Sequence, residues 1–310
     1  MLSACTTCRI VSEQCSSYVD NLTDQRYHYD TSEKSGIILR EARNRKEKKL
    51  MELGLKGKIA IVTGGARGIG KSIVEGFVNE GTSVVISDIL FDAAQELAEK
   101  LTKDGIKVLA VKTDVSQKSD ADNLAAATLK EFGKIDILVN AAGIVRDNKF
   151  VDIEEEEWDR ILNINAKGVY LVTRAVVPHM IAARQGKIVN FSSLAGKRGG
   201  VGLTHYSATK FAIIGITQTL ARELAEYNIN VNAVCPGVVR TAMWEVLLDA
   251  RAKRQGVSRE HVWNEWMEQI PLKRPQTPED IANVVLFLSS EVSKNMTGEA
   301  INVNGGFLMD

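Results

Sequence analysis

A chain of 310 residues, 45% hydrophobic and 25% charged, has ordinary globular composition and enough apolar material for a sizeable core. Lysine plus arginine and aspartate plus glutamate balance at 39 each, so no bulk field draws in nucleic acid or an anionic membrane. No apolar run reaches the roughly 18 residues of a membrane span, and the N-terminus lacks the apolar stretch of a secretory signal, which makes the cytoplasm the expected compartment.

Residues 1–50 stand apart from the rest of the chain. They show neither helical nor strand period up to about Ile37, and then carry a basic run from Arg40 to Lys49. Cys5, Cys8 and Cys15 lie here, far from Cys235. A Cys-x-x-Cys pair at 5 and 8 without a second pair, and with only His28 nearby, does not complete a tetrahedral zinc site, so no metal is expected. Arg45-Lys46-Glu47-Lys48-Lys49 can be encoded entirely by purine-rich codons just upstream of Met51, the composition of a bacterial ribosome-binding site. Met51 is therefore expected to be the true start, and residues 1–50 a translated leader, poorly ordered and without a catalytic role. Intact mass of the protein from its native host checks this, and a full 34.0 kDa chain overturns it.

From Lys58 onward strand and helix patterns alternate. Lys58–Thr63 is a short apolar run ending in glycines, as a buried parallel strand should be. A helix is predicted from Gly68 to Glu80, closed by Gly81. Strand Ser83–Asp88, helix Ala93–Leu101, strand Lys107–Thr113, helix Lys118–Phe132 and strand Ile135–Asn140 follow. A long helix from about Glu154 to Ala183 then leads into strand Lys187–Ser192, helix His205–Tyr227 and strand Asn230–Val234. Helix Pro278–Ser290 and strand Ala300–Asn304 finish the chain. Seven strands separated by helices predict one α/β domain over 51–310 with a doubly wound parallel sheet. Ligands in such sheets sit at the carboxyl ends of the strands, near the topological switch point.

The candidate chemistry clusters there. The first strand runs into Thr63-Gly-Gly-Ala-Arg-Gly-Ile-Gly70, whose Gly64, Gly68 and Gly70 permit a tight turn and let the backbone approach a pyrophosphate on a helix N-terminus. Asp88 ends the second strand, 24 residues after Gly64, where a carboxylate accepts hydrogen bonds from ribose hydroxyls and repels a 2′-phosphate. Arg67 pulls toward the phosphorylated dinucleotide, but no Arg or Lys at 89–91 offsets Asp88. NAD is expected over NADP, because an unpaired carboxylate beside a phosphate is costly.

Tyr206 and Lys210 lie four apart on one helix face. A free phenol titrates near 10, and a neighbouring cation together with the positive nicotinamide ring should lower it, making Tyr206 a general acid or base. Ser193, at a strand end, can donate to a substrate oxygen. Asn165 sits inside the long helix, where asparagine is a mediocre helix former, which suggests a side-chain or water-binding role.

These motifs in this order resemble the short-chain dehydrogenase/reductase family, and the resemblance covers about 58–310. Thr63–Gly70 is similar to the family's TGxxxGxG, Asn140-Ala-Ala-Gly143 to its NNAG, and Pro236-Gly237 with Thr241 to the motif beside the nicotinamide carboxamide. Ser193, Tyr206 and Lys210 match the Ser-Tyr-Lys triad, Asn165 the active-site asparagine, and Asp114 the acidic residue near the adenine. Ala141 departs from the pattern, standing where the family usually has a second asparagine. The resemblance implies a Rossmann-type fold, Tyr206 as proton donor or acceptor, Lys210 on the nicotinamide ribose, and Asn165 holding a proton-relay water. It implies a dinucleotide site built from Gly64, Arg67, Gly68, Ile69, Gly70, Asp88, Asp114, Val115, Asn140, Ala141, Gly143, Tyr206, Lys210, Pro236, Gly237, Val239 and Thr241. It also implies a homotetramer, assembled through helices 154–183 and 205–227 and through the last strand.

Between Thr241 and Pro271 lies the family's substrate lid. The stretch contains Met267 and reads as an amphipathic helix pair, with Trp263 and Trp266 packing on the domain, whereas Met243 and Trp244, directly after Thr241, are expected to face the substrate along with Ser193 and Arg146. Lys197 and Arg198, just past Ser193, could pair with a substrate phosphate or carboxylate but read first as solvated loop charges. Cys235–Trp244 with the long lid resembles NAD-dependent acetoin, butanediol and sugar-alcohol dehydrogenases, so a polyol, diol or sugar is the first substrate expectation. Arg146-Asp-Asn148 resembles 3-oxoacyl-[acyl-carrier-protein] reductases, which usually take NADPH, and this is the alternative. A dinucleotide-binding regulator without catalysis is the third, opposed by the presence of all four of Ser193, Asn165, Tyr206 and Lys210.

Overall fold

The computed structural model describes residues 52–103 and 105–309, so the expectations placed on residues 1–50 lie outside the described residues. The seven predicted strands form one parallel sheet in the order β3-β2-β1-β4-β5-β6-β7. They are β1 (Ile59–Thr63), β2 (Ser83–Asp88), β3 (Val108–Lys112), β4 (Ile137–Asn140), β5 (Gly186–Phe191), β6 (Ile229–Pro236) and β7 (Ala300–Val303). The order reverses between β1 and β4, and the crevice of a doubly wound sheet opens at such a point.

Every residue of β1 is buried, because the strand is covered on both faces. Ala60 and Val62 pack into the cluster that includes Ile73, Phe77, Ile281 and Val285, from α1 (Gly68–Asn79) and the last helix, α9 (Pro278–Leu288). Ile61 between them points into the opposite cluster with Leu124, Val172 and Met180, from α3 (Lys118–Phe132) and α5 (Gly168–Ala183). The helix α2 (Phe91–Leu101) packs on β2 and β3. A close fit joins α1 to α9: a Cβ on Gly76 would stand 2.8 Å from Leu286 Cδ1, and Ser72 Oγ donates to Glu279 Oε1 at 2.8 Å.

Three segments differ from the sequence expectation. The long helix is α4 (Glu155–Leu162) running into α5 through one wide, π-type turn at Asn163–Lys167. The helix expected to reach Tyr227 ends earlier: α6 is Thr204–Glu223, and Ala225–Tyr227 form a 3₁₀ turn closed by Asn228 in the left-handed conformation (φ +58°). The strand expected to stop at Val234 continues through Cys235 to Pro236, because β7 pairs with it to that point. The stretch after Thr241 folds as the expected helix pair, α7 (Ala242–Gln255) and α8 (Arg259–Gln269). No helix among the described residues is long and apolar enough to cross a membrane.

Candidate active site

The glycine-rich turn is held by its own backbone. Gly64 (φ +67°) donates to Ser87 O at 2.7 Å, and a Cβ on Gly70 would fall 2.0 Å from Gly64 O, so no side chain fits there. The turn delivers α1 with Arg67 at its cap, without a side-chain cap bond and without an acidic residue in the first turn. Its leading amides are therefore open to an anion. Thr63 Oγ1 accepts from the amides of Ala141 (3.0 Å) and Ala142 (3.1 Å), which fixes the loop after β4 against the end of β1. The departure at Ala141 costs this joint nothing, since it uses the backbone.

Asp88 is nearly buried at the end of β2. Its Oδ2 accepts from Ala66 N and its Oδ1 from Leu90 N, both at 3.0 Å, so the carboxylate braces the turn while still facing the cleft. Each carboxylate oxygen keeps a second lone pair for a hydroxyl. Asp114 and Val115 reach the same wall. Asp114 Oδ1 binds its own loop through Ser116 N (3.0 Å) and Ser116 Oγ (2.7 Å), while Val115 packs where a Cβ on Gly168 would stand 2.8 Å away.

Asn140 is a correction. Its side chain turns into the sheet and donates to Thr173 Oγ1 (3.0 Å) and Asn190 Oδ1 (2.9 Å), away from the cleft that Ala141 and Gly143 line. The pairing register places Asn140 beside Asn190, so the two amides meet inside the protein. Pro236, Gly237, Val239 and Thr241 line the cleft, as do Arg67, Gly68 and Ile69. Thr241 also caps α7 by accepting from Trp244 N.

Ser193, Tyr206 and Lys210 converge beyond the end of β5. Ser193 lies in extended backbone, with Oγ accepting from Ala195 N at 3.1 Å. Tyr206 and Lys210 rise from the first turns of α6, with Lys210 Nζ 5.5 Å from the Tyr206 ring centroid. Lys210 is 4% exposed and its ammonium donates to Phe191 O at 2.7 Å. Burial lowers its pKa to about 8, with Cys235 pulling the other way. The Tyr206 phenol is raised above its ordinary value by burial, with the Ser193 hydrogen bond lowering it and Cys235 raising it. In the protein alone, desolvation of the phenolate outweighs the Ser193 hydrogen bond, and the side chain is a neutral acid there.

Asn165 is fully buried in the wide turn, where a π-type register commonly marks a functional position. Its Oδ1 accepts from Ile144 N and its Nδ2 donates to Ile144 O, both at 2.9 Å, with Thr209 Oγ1 a further acceptor at 3.3 Å. The side chain thus clamps the loop after Gly143. One residue that the motifs do not mark joins this set. His205, fully buried, accepts the Tyr206 N–H on Nδ1 at 2.9 Å, so Nε2 carries the proton and donates to Glu157 Oε1 at 2.8 Å. A histidine immediately before the tyrosine, at a helix start, is the only sequence signal for it.

Both halves open into one cleft of about 820 Å³ at the carboxyl ends of the strands. Its outer wall comes from α7 and α8. Trp244 is buried, edge-on to Trp266 (5.0 Å between centroids) and Trp263 (6.5 Å), and lines the cleft with the half-exposed Met243 and with Arg146. Trp266 lines it too, although its spacing reads as packing. Arg198 lies over the Phe307 ring, 5.6 Å from its centroid, on the same wall. Among the described residues no group of His, Cys, Asp and Glu could hold a metal ion.

A parallel sheet with a glycine turn at its switch point, and a Ser-Tyr-Lys set beside it, define a dinucleotide-dependent oxidoreductase. The chain belongs to the short-chain dehydrogenase/reductase family: the family model described as enoyl-(acyl carrier protein) reductase matches residues 64–308. It is an NAD(P)-dependent enzyme that interconverts an alcohol and a ketone. Among its relatives, the 3-oxoacyl-[acyl-carrier-protein] reductase FabG of Thermotoga maritima is 40% identical over 82% of this chain and 99% of that protein. The reductase of the same name from Aquifex aeolicus is 41% identical over 83% and 99%. An uncharacterized oxidoreductase of Mycobacterium tuberculosis is 38% identical over 81% and 97%.

Proposed function

We propose that the chain reduces the ketone of a 3-oxoacyl thioester to the 3-hydroxy compound, with NADH as the preferred dinucleotide. The similarity to 3-oxoacyl-[acyl-carrier-protein] reductases along nearly their whole length carries this reading. It favours the alternative substrate over the polyol, diol or sugar suggested by the lid sequence.

The residues present fit a dinucleotide. The turn leaves no room for a side chain at Gly70, α1 presents unpaired amides, and Asp88 lines the cleft with lone pairs open to hydroxyl donors. Gly64–Gly70 and Thr241 would hold the phosphates and carboxamide, Asp114 and Val115 the adenine, and Lys210 the nicotinamide ribose. When bound, the dinucleotide supplies the hydride. Ser193 Oγ–H donates to the ketone oxygen and fixes its position. Tyr206, a neutral acid in the protein alone, gives its phenolic proton to that oxygen as negative charge develops, which completes the alcohol. Lys210, with its ammonium on Phe191 O and 5.5 Å from the Tyr206 ring centroid, favours the phenolate that this transfer leaves behind. Asn165 acts on the backbone at Ile144, which keeps Gly143 and the cleft wall in place. The helices α7 and α8 form the cover of the substrate half.

Initial rates test this: acetoacetyl thioesters, diols, polyols and sugars are each assayed with NADH or NADPH, or with the oxidised forms for alcohols. Thioester reduction with NADH is the expected result. Turnover of a diol or polyol without any thioester activity refutes the substrate, and a preference for NADPH refutes the role given to Asp88. Assembly as a homotetramer belongs to the same reading: Tyr170 on α5 and Phe211 on α6 expose about half of their surface on the helices expected to pair. Light scattering that returns a monomer refutes that part.

A further inference from the structure

Two arginines one turn apart on α7, Arg251 and Arg254, line the cleft that also holds Ser193 and Tyr206. Both turn onto a single carboxylate, Asp147, whose side chain is fully buried in the loop after β4. Arg254 has the better of it, with Nε on Asp147 Oδ1 and Nη2 on Oδ2. Arg251 reaches Asp147 Oδ2 through Nε and Val201 O through Nη2, both at 3.3 Å, long for bonds made by a charged donor. Its Nη1 donates to no described residue. The guanidinium instead lies 4.5 Å over the Trp266 ring, a contact that suits its flat, weakly hydrated face.

One carboxylate balances one guanidinium, so this wall keeps an uncompensated positive charge on a residue only 8% exposed. Glu265, the other acid near Arg251, lines the same cleft and favours the charged guanidinium, but it is exposed on α8 and makes no ion pair with Arg251, so water screens its field. Buried charge is costly unless paired, and a cleft is where a ligand can bring the partner. Leu203, Leu247 and Trp266 line the same cleft beside the polar Gln255 and Gln269, and the Trp266 ring keeps water from one face of the guanidinium.

We infer that Arg251 anchors an oxyanion subsite in the substrate half of the cleft, with Trp266 beneath it, and that the substrate carries a carboxylate or a phosphate in addition to its ketone. Arg254 holds Asp147, and Asp147 holds the Nε edge of Arg251 so that Nη1 is presented. The inference rests on the reading of Ser193, Tyr206 and Lys210 as a ketone-reducing centre. The anion has two sources, the carboxylate of a free 3-oxo acid or the phosphate of a pantetheine arm.

Three ketones of graded charge separate these with the full chain and NADH: methyl acetoacetate (neutral), acetoacetate (carboxylate) and acetoacetyl-4′-phosphopantetheine (phosphate). The wild type should favour one anionic ketone in kcat/KM, and which one identifies the source. In Arg251→Met the KM for that ketone should rise about 10- to 100-fold more than the KM for methyl acetoacetate, and Arg251→Lys should recover part of the difference. Equal changes for charged and neutral ketones would reduce Arg251 to a structural tie and overturn the subsite, as would a wild type that prefers neither anion. A binding readout needs no turnover: malonate and 4′-phosphopantetheine are each added to the wild type and to Arg251→Met, and each melting temperature is compared with that in equal chloride. At least one anion should raise it in the wild type and not in the variant, which separates Arg251 from the open amides of α1. If no ketone is reduced but an anion raises the melting temperature of the wild type alone, the proposed reaction fails and the subsite stands; if neither anion does, or if both proteins respond equally, the subsite fails even if thioesters are reduced.

Discussion

Raising the pH from 8 to 10.5 should stabilise this fold through Lys210. The side chain is 4% exposed, hydrogen-bonded to Phe191 O, and its pKa falls from 10.5 to about 8 because burial removes the water that would solvate the ammonium. Between those values the unfolded chain holds a proton that the folded chain has released, so unfolding free energy climbs with pH. Below 8 the burial cost is present in full, and above 10.5 it is gone. The difference is about 3 kcal/mol over this window. Denaturant unfolding at a series of pH values, for the wild type and for Lys210→Met, isolates the effect, since every other titrating group is common to both proteins. The Tyr206 phenol, raised above 10, ionises at the top of the window or beyond it. The wild type should gain on the variant steadily from pH 8 to 10.5. Parallel curves across that range would show that Lys210 keeps its ordinary proton affinity and would refute the electrostatics assigned to the site.

Tyr206→Phe should cut kcat by about 10²- to 10⁴-fold while dinucleotide affinity changes little; single-turnover rates with a dinucleotide titration measure both, and an unimpaired rate removes the phenol from the proton step. Gly70→Ala places a Cβ 2.0 Å from Gly64 O and 3.0 Å from Gly65 Cα, both backbone, so the turn must open. A stability loss of about 3 kcal/mol with weakened dinucleotide binding is expected, and a variant with wild-type melting and affinity contradicts the packing of the turn. Asp147→Asn leaves two guanidiniums without their shared carboxylate, and thermal or denaturant unfolding should register a loss of about 3–5 kcal/mol; a loss well under 1 kcal/mol would mean that the carboxylate does not tie α7 to the loop after β4.

Residues whose partners are near in sequence, or whose constraint is the backbone itself, are legible from the chain alone. The glycine turn follows from conformational need, and the Tyr206–Lys210 spacing from helix geometry. The buried strands declare themselves as apolar runs because both faces of the sheet are covered. Asn140 escapes such a reading for the opposite reason: its direction is set by strand register, and the register pairs it with Asn190, 50 residues away. The same holds for Arg251. Nothing in the α7 sequence separates it from Lys253, an exposed neighbour two positions on, until Asp147, 104 residues earlier, is placed beneath it. Asn165 shows the two kinds of information meeting. Its poor helix propensity marks the position locally, but the wide turn forms where its amide finds both polar groups of Ile144, a loop residue 21 positions earlier. A helix slips its register there because a buried amide satisfied on both sides outweighs one regular turn, and that trade depends on a contact no local window contains.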